Sequence, residues 1–578
     1  MHLNPVAAAA LVFALLTVVT SLADRGRRRK RLERLRALWG APKEEPRDMA
    51  TIARYHQALD ALDPADAAIG GVDDRTWSDL DLDNVFAAVD RAASGVGQQV
   101  LYRRLRTPRA DAPELERFDR LTTALGERAE LRDEVLTALA PLDVRGAYAL
   151  PDLFLRPTPP RPAAAPLFPV LLLLSVGSLL LIFVWPRALL VFIGTSLVNI
   201  VVRSTIGGTV SSIAQPFRLL NRLIGIARQL AQSRAPEIAG HAALLRESAS
   251  RLANLGRAAG WLSWESPDTE DLRGLLYSYV NNAFLLDLNL LTFSLREIGR
   301  RRGDIRQLFE SVGDVDAALS VASFRAGRPS RWTRPCFAPP GTRPVMRGLV
   351  HPLVEEPVAN DLVVADEPGV LITGSNMSGK TTFLRAAGLN AVLAQTIHTC
   401  LAREYRAPFL VVRSSIAHLD SVLEGKSYYM AEVDSVLRLV HAASDDDRRP
   451  HLFLLDELFR GTNAVERIAG AKAVLDYLAA GGSHTAVAAT HDFELIELLA
   501  TRYAPFHFRE TVGAGGLSFD YVLRPGPATT RNAIKLLEVM GAPDAVVADA
   551  LRTAEALDTQ RGNAPRGNAP LGIEPPRA

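Results

Sequence analysis

This chain has few cysteines and almost no net charge, and each of these features argues against certain classes of protein. The 578 residues include two cysteines, Cys336 and Cys400, and 66 basic residues against 64 acidic ones leave a net charge of +2. Two distant thiols predict no disulfide partner and no cysteine metal cluster, as in a reducing compartment. A nearly neutral chain is not typical of a strongly basic binder of bulk nucleic acid. With 48% hydrophobic residues, the length suits two or three domains together with membrane spans.

A glycine-rich segment between residues 374 and 381 carries the strongest chemical signal. It reads Gly-Ser-Asn-Met-Ser-Gly-Lys-Thr, matches the phosphate-loop pattern G-x-x-x-x-G-K-[ST], and follows the apolar run Val370–Ile372. In such a loop backbone N–H groups surround nucleotide phosphates, Lys380 reaches the β- and γ-phosphates, and the Thr381 hydroxyl coordinates Mg²⁺. The predicted nucleotide-binding residues are Gly374, Ser375, Asn376, Met377, Ser378, Gly379, Lys380, Thr381 and Thr382.

Two apolar runs predict further strands that end in reactive side chains. His451–Leu455 leads into Asp456 and Glu457, which we assign to Mg²⁺ and to activation of the attacking water. Thr485–Thr490 leads into His491, which would reach the same edge of a doubly wound sheet and sense the γ-phosphate. The predicted catalytic residues are therefore Glu457, His491 and Lys380.

A third segment, from Ser427 to Glu432, opens a predicted helix and offers a hydroxyl and free N–H groups to an anion. Each of these segments also has an ordinary explanation: an Asp-Glu pair can be a solvated cap, a single histidine can fill a core, and Ser427 can be a helix N-cap. Their order along alternating strand and helix patterns predicts a nucleotide site instead.

The same residues carry a resemblance to the MutS family of mismatch-repair ATPases. The phosphate loop with its Asn-Met pair, the segment Leu455–Thr462 reading Leu-Asp-Glu-Leu-Phe-Arg-Gly-Thr, and Ala489–Leu495 reading Ala-Thr-His-Asp-Phe-Glu-Leu resemble three motifs of that family. The resemblance implies ATP and Mg²⁺ as cofactors and an α/β P-loop NTPase domain, MutS/ABC-like, preceded by an all-α core and lever domain. It also implies a homodimer, in which the helix end with Ser427, Met430 and Glu432 completes the partner's γ-phosphate site.

Upstream of the ATPase motifs the resemblance is weaker and then stops. Leu82–Arg91 continuing to Pro108 looks like the family's core helix, and its apolar positions fit one helical stripe: Val85, Phe86, Val89, Val96, Val100, Leu101 and Leu105. No mismatch-binding wedge, connector or clamp is visible in the sequence, so it resembles a variant without those domains. For stacking on adenine, Tyr521 is the candidate, with a strand residue packed on the sheet as the equal alternative.

Hydrophobic segments indicate a membrane protein with about three transmembrane helices. Val6–Ala23 is an apolar run followed by the basic run Arg25–Arg31, which predicts a retained anchor with its C-terminal side in the cytoplasm. The basic run could alternatively be a nucleic-acid patch. Leu167–Trp185 and Ala188–Val202 predict a transmembrane hairpin. A buried soluble hairpin is the alternative. We expect a multi-pass protein of the cell membrane with its ATPase domain in the cytoplasm.

The expected domains follow from these boundaries: an anchor at 1–24, a basic juxtamembrane helical segment at 25–69, the first core part with a proline-rich linker at 70–165, the hairpin at 166–203, the second lever and core part at 204–330, the ATPase domain at 331–557 and a disordered tail at 558–578. Two roles remain open: an ATPase linked to mismatch repair or DNA-structure binding at the membrane, and an ATP-switched membrane scaffold without DNA contact. A transporter of the ABC type is disfavoured, because no Leu-Ser-Gly-Gly-Gln signature occurs.

Overall fold

The computed structural model describes residues 30, 32–62, 71–158, 161–262, 272–364, 367–375, 377–416, 428–444, 449–513, 516–527, 537 and 541–562. Several predicted features lie outside these residues: the anchor Val6–Ala23, most of the basic run Arg25–Arg31, Asn376, Ser427 and most of the C-terminal tail. The chain divides into two compact units. The first comprises Met1–Pro340, Pro352–Glu355 and Gly388–Arg413, and the second comprises Gly341–His351, Glu356–Ala387 and Ser414–Ala578.

The helices are α1 (Met49–Leu62), α2 (Asp74–Asp79), α3 (Leu82–Val89), α4 (Gly95–Arg106), α5 (Ala112–Glu127), α6 (Ala129–Leu139), α7 (Asp152–Leu155), α8 (Leu167–Leu181), α9 (Ala188–Leu230), α10 (Ala239–Arg251), α11 (Ala253–Leu262), α12 (Leu272–Phe284), α13 (Leu286–Arg300), α14 (Arg302–Ala326), α15 (Lys380–Ile397), α16 (Tyr428–Ser444), α17 (Ala464–Ala480), α18 (Glu494–Leu498) and α19 (Asp544–Gly562). The strands are β1 (Cys336–Phe337), β2 (Val345–Leu349), β3 (Asn360–Val363), β4 (Gly369–Thr373), β5 (Glu404–Ala407), β6 (Val411–Ser415), β7 (His451–Asp456), β8 (Thr485–Thr490), β9 (Tyr503–Gly513) and β10 (Gly516–Pro525).

The stripe that we predicted as one helix is divided between α3 and α4, so that part of the prediction was wrong. Its apolar residues are all buried, as the stripe requires. The chain leaves the helix at Asp90, whose φ of −65° and ψ of 111° are extended, and re-enters it at Ser94, whose hydroxyl accepts from the N–H of Gly97. The buried Asp316 of α14 fixes this break, because its carboxylate accepts from Ala93 N at 2.7 Å and Ser94 N at 2.9 Å.

A second buried charge cluster joins α5, α14 and the end of α15 within the first unit. Asp119 of α5 pairs with Arg325 and Arg334, each at 2.7 Å. Burial would raise the pKa of Asp119, but the hydrogen bond from His398 and the two arginines hold that pKa below its usual range. Arg325 also donates to the carbonyl of His398 at 3.0 Å, and so satisfies the carbonyl end of α15.

The predicted hairpin is formed by α8 and α9, which contact each other. The second arm does not end near Val202 as expected, because α9 continues as one helix to Leu230, with Pro216 inside it. Within the described residues, Ala188–Ile206 is the one helical segment long and apolar enough to cross a membrane, and 6% of its most apolar part is buried. The apolar helix α8 is shorter. Trp185 between the arms is 49% exposed.

The second unit is built around a sheet in which β9, β4, β8 and β7 lie side by side and run parallel, while β10 extends it antiparallel to β9. The strands β4, β7 and β8 are buried at every residue, as expected for central parallel strands covered on both faces. Residues of α16 and α17 pack onto this sheet in one hydrophobic core. The predicted α/β class is confirmed for this domain, and the carboxyl ends of β4, β7 and β8 meet at one edge.

Candidate ATP site

The phosphate loop connects β4 to α15 and begins directly after Thr373. Three of its residues have left-handed backbones, with φ of +146° at Gly374, +71° at Met377 and +107° at Gly379. Such angles favour glycine and let backbone N–H groups turn toward the N-terminus of α15. Met377 is 82% exposed at the tip of the loop. Thr382 lies exposed on the first turn of α15.

Lys380 folds back into this loop and is 5% exposed. Its ammonium group donates to the carbonyl oxygens of Gly374 at 2.8 Å and Ser375 at 3.0 Å. Burial lowers the pKa of Lys380, although the charges of Glu457 and Asp456 oppose that effect. The site therefore carries a cation at the centre of the loop, which is where phosphate charge would need one. The hydroxyl of Ser375 is itself bonded to Glu510.

Thr381 and Asp456 lie together, with the Thr381 hydroxyl donating to Asp456 Oδ2 at 2.6 Å. A hydroxyl and a carboxylate oxygen at the mouth of a phosphate loop are the hard ligands that Mg²⁺ accepts beside phosphate oxygens. Over the part of the chain that the structure describes, no group of three or more His, Cys, Asp or Glu residues could hold a metal ion. The residues present fit a metal ion whose coordination shell is completed by the nucleotide, and not one that is coordinated by protein side chains alone.

Glu457 and His491 form the reactive pair at the ends of β7 and β8. His491 Nε2 lies 2.5 Å from Glu457 Oε1 and 3.4 Å from the Lys380 ammonium. The hydrogen bond from His491 is the largest cause of a lowered pKa at Glu457, against burial and with help from Arg460 and Lys380. The carboxylate is therefore held ionised, as a group that orients water requires.

Two arginines that the site prediction did not include border the same place. Arg460 Nη1 lies 3.1 Å from Glu457 Oε2, and Arg467 donates two hydrogen bonds to Asp492, at 2.9 and 2.7 Å. Both line a cavity of about 150 Å³ together with Glu457 and His491. Arg460 could have been predicted, because it is the arginine of the Asp-Glu-x-x-Arg motif. No sequence pattern identifies Arg467.

Tyr521 lies against the phosphate loop, although it belongs to β10. It sits at a bulge where the pairing with β9 shifts, has a φ of +55° and is 45% exposed. A methyl group on Gly379 would lie 3.3 Å from its Cδ1 atom. Asn360 fixes the bulge, because its amide donates to Tyr521 O at 2.9 Å and its oxygen accepts from Leu523 N at 2.7 Å. This position suits a ring beside a bound base, and no local pattern identified Asn360 beforehand.

The segment predicted to act in a partner's site has two different environments within α16. Met430 is 50% exposed. Glu432 is 2% exposed, and its Oε1 accepts from the backbone N–H of Arg460 at 3.0 Å. Glu432 therefore supports the loop after β7 of its own chain. The role of Met430 and Glu432 across a dimer stays a prediction, as does that of Ser427.

Comparisons with known proteins point to one family. Residues 370–558 match the family model described as MutS domain V. The DNA mismatch repair protein MutS of Thermus aquaticus is 36% identical over 277 residues, which cover 47% of this chain and 33% of that protein. The protein of the same name from Natronomonas pharaonis is 32% identical over 276 residues, covering 46% and 31%. That of Lactobacillus delbrueckii subsp. bulgaricus is 28% identical over 305 residues, covering 51% and 35%.

The chain thus spans about a third of the length of the curated relatives that it matches. The matched region contains the phosphate loop, the strand end with Asp456 and Glu457, and the strand end with His491, and these are the residues that the fold brings together. The resemblance read from the sequence is confirmed for this region, because residues 370–558 form an ATPase-type α/β domain that matches MutS domain V.

Proposed function

We propose that this protein is a membrane-anchored, Mg²⁺-dependent ATPase that hydrolyses ATP in a site completed by a second copy of the chain. The observation that carries the ATPase proposal is the meeting of Lys380, the Thr381–Asp456 pair and the Glu457–His491 pair at one sheet edge. The match of residues 370–558 to MutS domain V supports the same activity.

Each group has a defined task in this proposal. Lys380 gives up its present hydrogen bonds to the loop carbonyls and holds the β- and γ-phosphates instead. Thr381 and Asp456 hold Mg²⁺, which when bound offsets the charge that develops on the phosphates. Glu457 orients the attacking water, and His491 moves from Glu457 toward the γ-phosphate.

Steady-state hydrolysis and nucleotide binding by purified protein test these tasks. Lys380→Ala removes a buried charge that faces phosphate, so we expect ATP affinity to fall by about 2–5 kcal/mol. Glu457→Gln should keep ATP affinity and reduce kcat by roughly 10²- to 10⁴-fold. Lys472→Ala, at a half-exposed ion pair on α17, serves as the control and should match the unmodified protein. Intact hydrolysis by Glu457→Gln would contradict the assigned base.

The membrane part of the proposal rests on the exposed apolar surface of α8, α9 and the turn between them. Leu173, Leu180, Phe183, Leu190 and Val201 are each at least 61% exposed. An exposed apolar surface of this extent is unfavourable in water and favourable in lipid. A helix in the core of a soluble protein would instead be mostly buried. Positive residues follow the predicted anchor, at Arg25–Arg31, and the predicted hairpin, at Arg203, and they favour a cytoplasmic ATPase domain.

The curated relatives are named for DNA mismatch repair, and this supports a link to DNA-structure binding at the membrane. The near-neutral charge of the chain favours the second candidate, an ATP-switched scaffold without DNA contact. ATPase rates of detergent-purified protein with homoduplex, mismatched and branched DNA, each at two salt concentrations, separate the two. A salt-sensitive stimulation supports DNA binding, and an unchanged rate with every DNA supports the scaffold.

A further inference from the structure

The helices α12 and α13 meet at an elbow, which lies in the part of the chain, residues 204–330, that the sequence predicts as lever and core. α12 ends at Phe284 and α13 begins at Leu286, because Leu285 between them has a φ of +50°. Asp287 is the one charged residue between Arg273 and Arg296. Apolar side chains dominate this stretch, so its composition is closer to that of the hairpin than to that of a solvated lever.

The elbow packs against both helices of the hairpin. The ring of Phe284 lies 6.1 Å from the ring of Phe192 on α9. Asn199 of α9 donates to the Ala283 carbonyl at 2.7 Å, which satisfies a carbonyl at the end of α12. Asn289 of α13 donates to the carbonyl of Phe168 on α8 at 3.2 Å.

The single charge of the elbow is neutralised by the hairpin. Arg203 of α9 pairs with Asp287 at 2.8 Å and donates to the Asn282 side chain, also at 2.8 Å. The Asp287 side chain is 3% exposed. Paired charges and amide hydrogen bonds of this kind are what allow polar groups to remain next to hydrocarbon.

Along α9, the positions of Arg203 and Phe192 differ by roughly 16 Å at ~1.5 Å per residue, about half of the ~30 Å hydrocarbon layer. We propose that the elbow, with α12 and α13, is a re-entrant element that enters the membrane beside the hairpin from the side of Arg203. The surface that the elbow presents would then face the lipid bilayer, and it includes the side chains of Tyr279 and Phe293, which are 70% and 41% exposed. This inference rests on the proposed insertion of the hairpin.

Fluorescence depth measurements test the inference on the full chain in vesicles of phosphatidylcholine and phosphatidylglycerol. Tyr279→Cys and Phe293→Cys are made in a Cys336→Ser background and labelled with nitrobenzoxadiazole, since Cys336 is exposed and Cys400 is buried. Leu190→Cys, 73% exposed on α9, reports whether the hairpin is inserted. Leu244→Cys on α10 is the matched control, because its 41% exposure equals that of Phe293.

Each label is exposed in turn to phospholipid carrying a nitroxide on its acyl chain and to iodide in the water. We expect lipid quenching at positions 190, 279 and 293 to be severalfold stronger than at 244, with the opposite order for iodide. Quenching at 190 but not at 279 and 293 overturns the re-entrant element and leaves the membrane hairpin standing. No lipid quenching at 190 overturns the proposed membrane insertion itself.

A second variant tests the contact that holds the elbow in place. Asn199→Leu keeps α9 apolar and removes the donor to the Ala283 carbonyl. In a chain labelled at Phe293→Cys, Asn199→Leu should lower lipid quenching at position 293 severalfold. In a second chain labelled at Leu190→Cys, the same substitution should leave quenching at position 190 unchanged. Equal quenching at 293 with and without Asn199 would show that this amide does not retain the elbow.

Discussion

Glu457 occupies a left-handed backbone conformation, with a φ of +50°, that costs a non-glycine residue about 1–2 kcal/mol. Two contacts hold the loop against this cost. The Glu457 N–H donates to Ala489 O at 2.9 Å, and the Arg460 N–H donates to buried Glu432 at 3.0 Å. The strain aims the Glu457 carboxylate at His491 and Lys380, so the position of the proposed base is set by backbone geometry as well as by charge.

His491 gives the sharpest prediction at the scale of single residues. Its hydrogen bond is the largest cause of the lowered pKa of Glu457, so His491→Asn should return that pKa toward its ordinary range. Since the carboxylate form is the active one, activity is lost as pH falls through the pKa of Glu457. The acid limb of the kcat/KM profile should therefore move to higher pH in His491→Asn, and kcat should fall roughly 10²-fold. His441→Asn, exposed on α16, is the control.

An acid limb that stays in place in His491→Asn would contradict the assigned pair. The sequence could predict this pair because the two residues each end an apolar run, and parallel strand ends meet at one edge. It could not predict Glu432 as a support of the same loop, because a buried carboxylate bonded to a backbone N–H leaves no local pattern.

At the scale of elements, the departures from prediction arise where side chains far apart in sequence decide a boundary. The break between α3 and α4 depends on Asp316, more than two hundred residues later, and on its bonds to Ala93 and Ser94. Helical periodicity alone cannot detect such a partner. The length of α9 was missed for another reason, since its continuous apolar run ends near Val202 while the helix continues to Leu230 with a mixture of polar and apolar residues.

The Asp316 network predicts a pH-dependent stability. Burial raises the pKa of Asp316 to about 6, against bonds from Ser94 and Ala93, with Lys43 lowering the pKa and Asp90 raising it. The folded state then binds a proton that the unfolded state releases, so stability falls as pH rises through 6. Relative to Asp316→Asn, the unmodified protein should lose about 1.4 kcal/mol between pH 5 and 7.5.

Urea unfolding followed by circular dichroism measures this difference. Asp152→Asn, at a half-exposed surface ion pair on α7, should show no comparable pH dependence relative to the unmodified chain. A constant stability difference across the pH range would mean that Asp316 remains ionised in the fold.

At the scale of the whole molecule, the proposed homodimer can be tested by mixing two inactive chains. Lys380→Ala disables the phosphate loop but leaves Met430 intact, whereas Met430→Glu changes the exposed segment predicted to act on the partner's nucleotide. In a mixed dimer, one site combines an intact loop with an intact segment. For random pairing, we expect the mixture to recover about a quarter of the activity of the unmodified protein.

Each variant alone should be nearly inactive. A mixture that is no more active than the sum of its components would argue for a site complete within one chain. Leu437→Glu, 45% exposed further along α16, controls for a general effect of surface charge on that helix.

The ion pair between Arg203 and Asp287 has a consequence for biosynthesis. The two residues lie 84 positions apart, and the arginine is translated first. Placing an aspartate in hydrocarbon without its partner costs several kcal/mol. On the proposed insertion of the hairpin and the elbow, the hairpin would have to leave the insertion machinery before the elbow docks beside it. Folding in the bilayer would then proceed in two steps, and the segment around Asp287 would dock last.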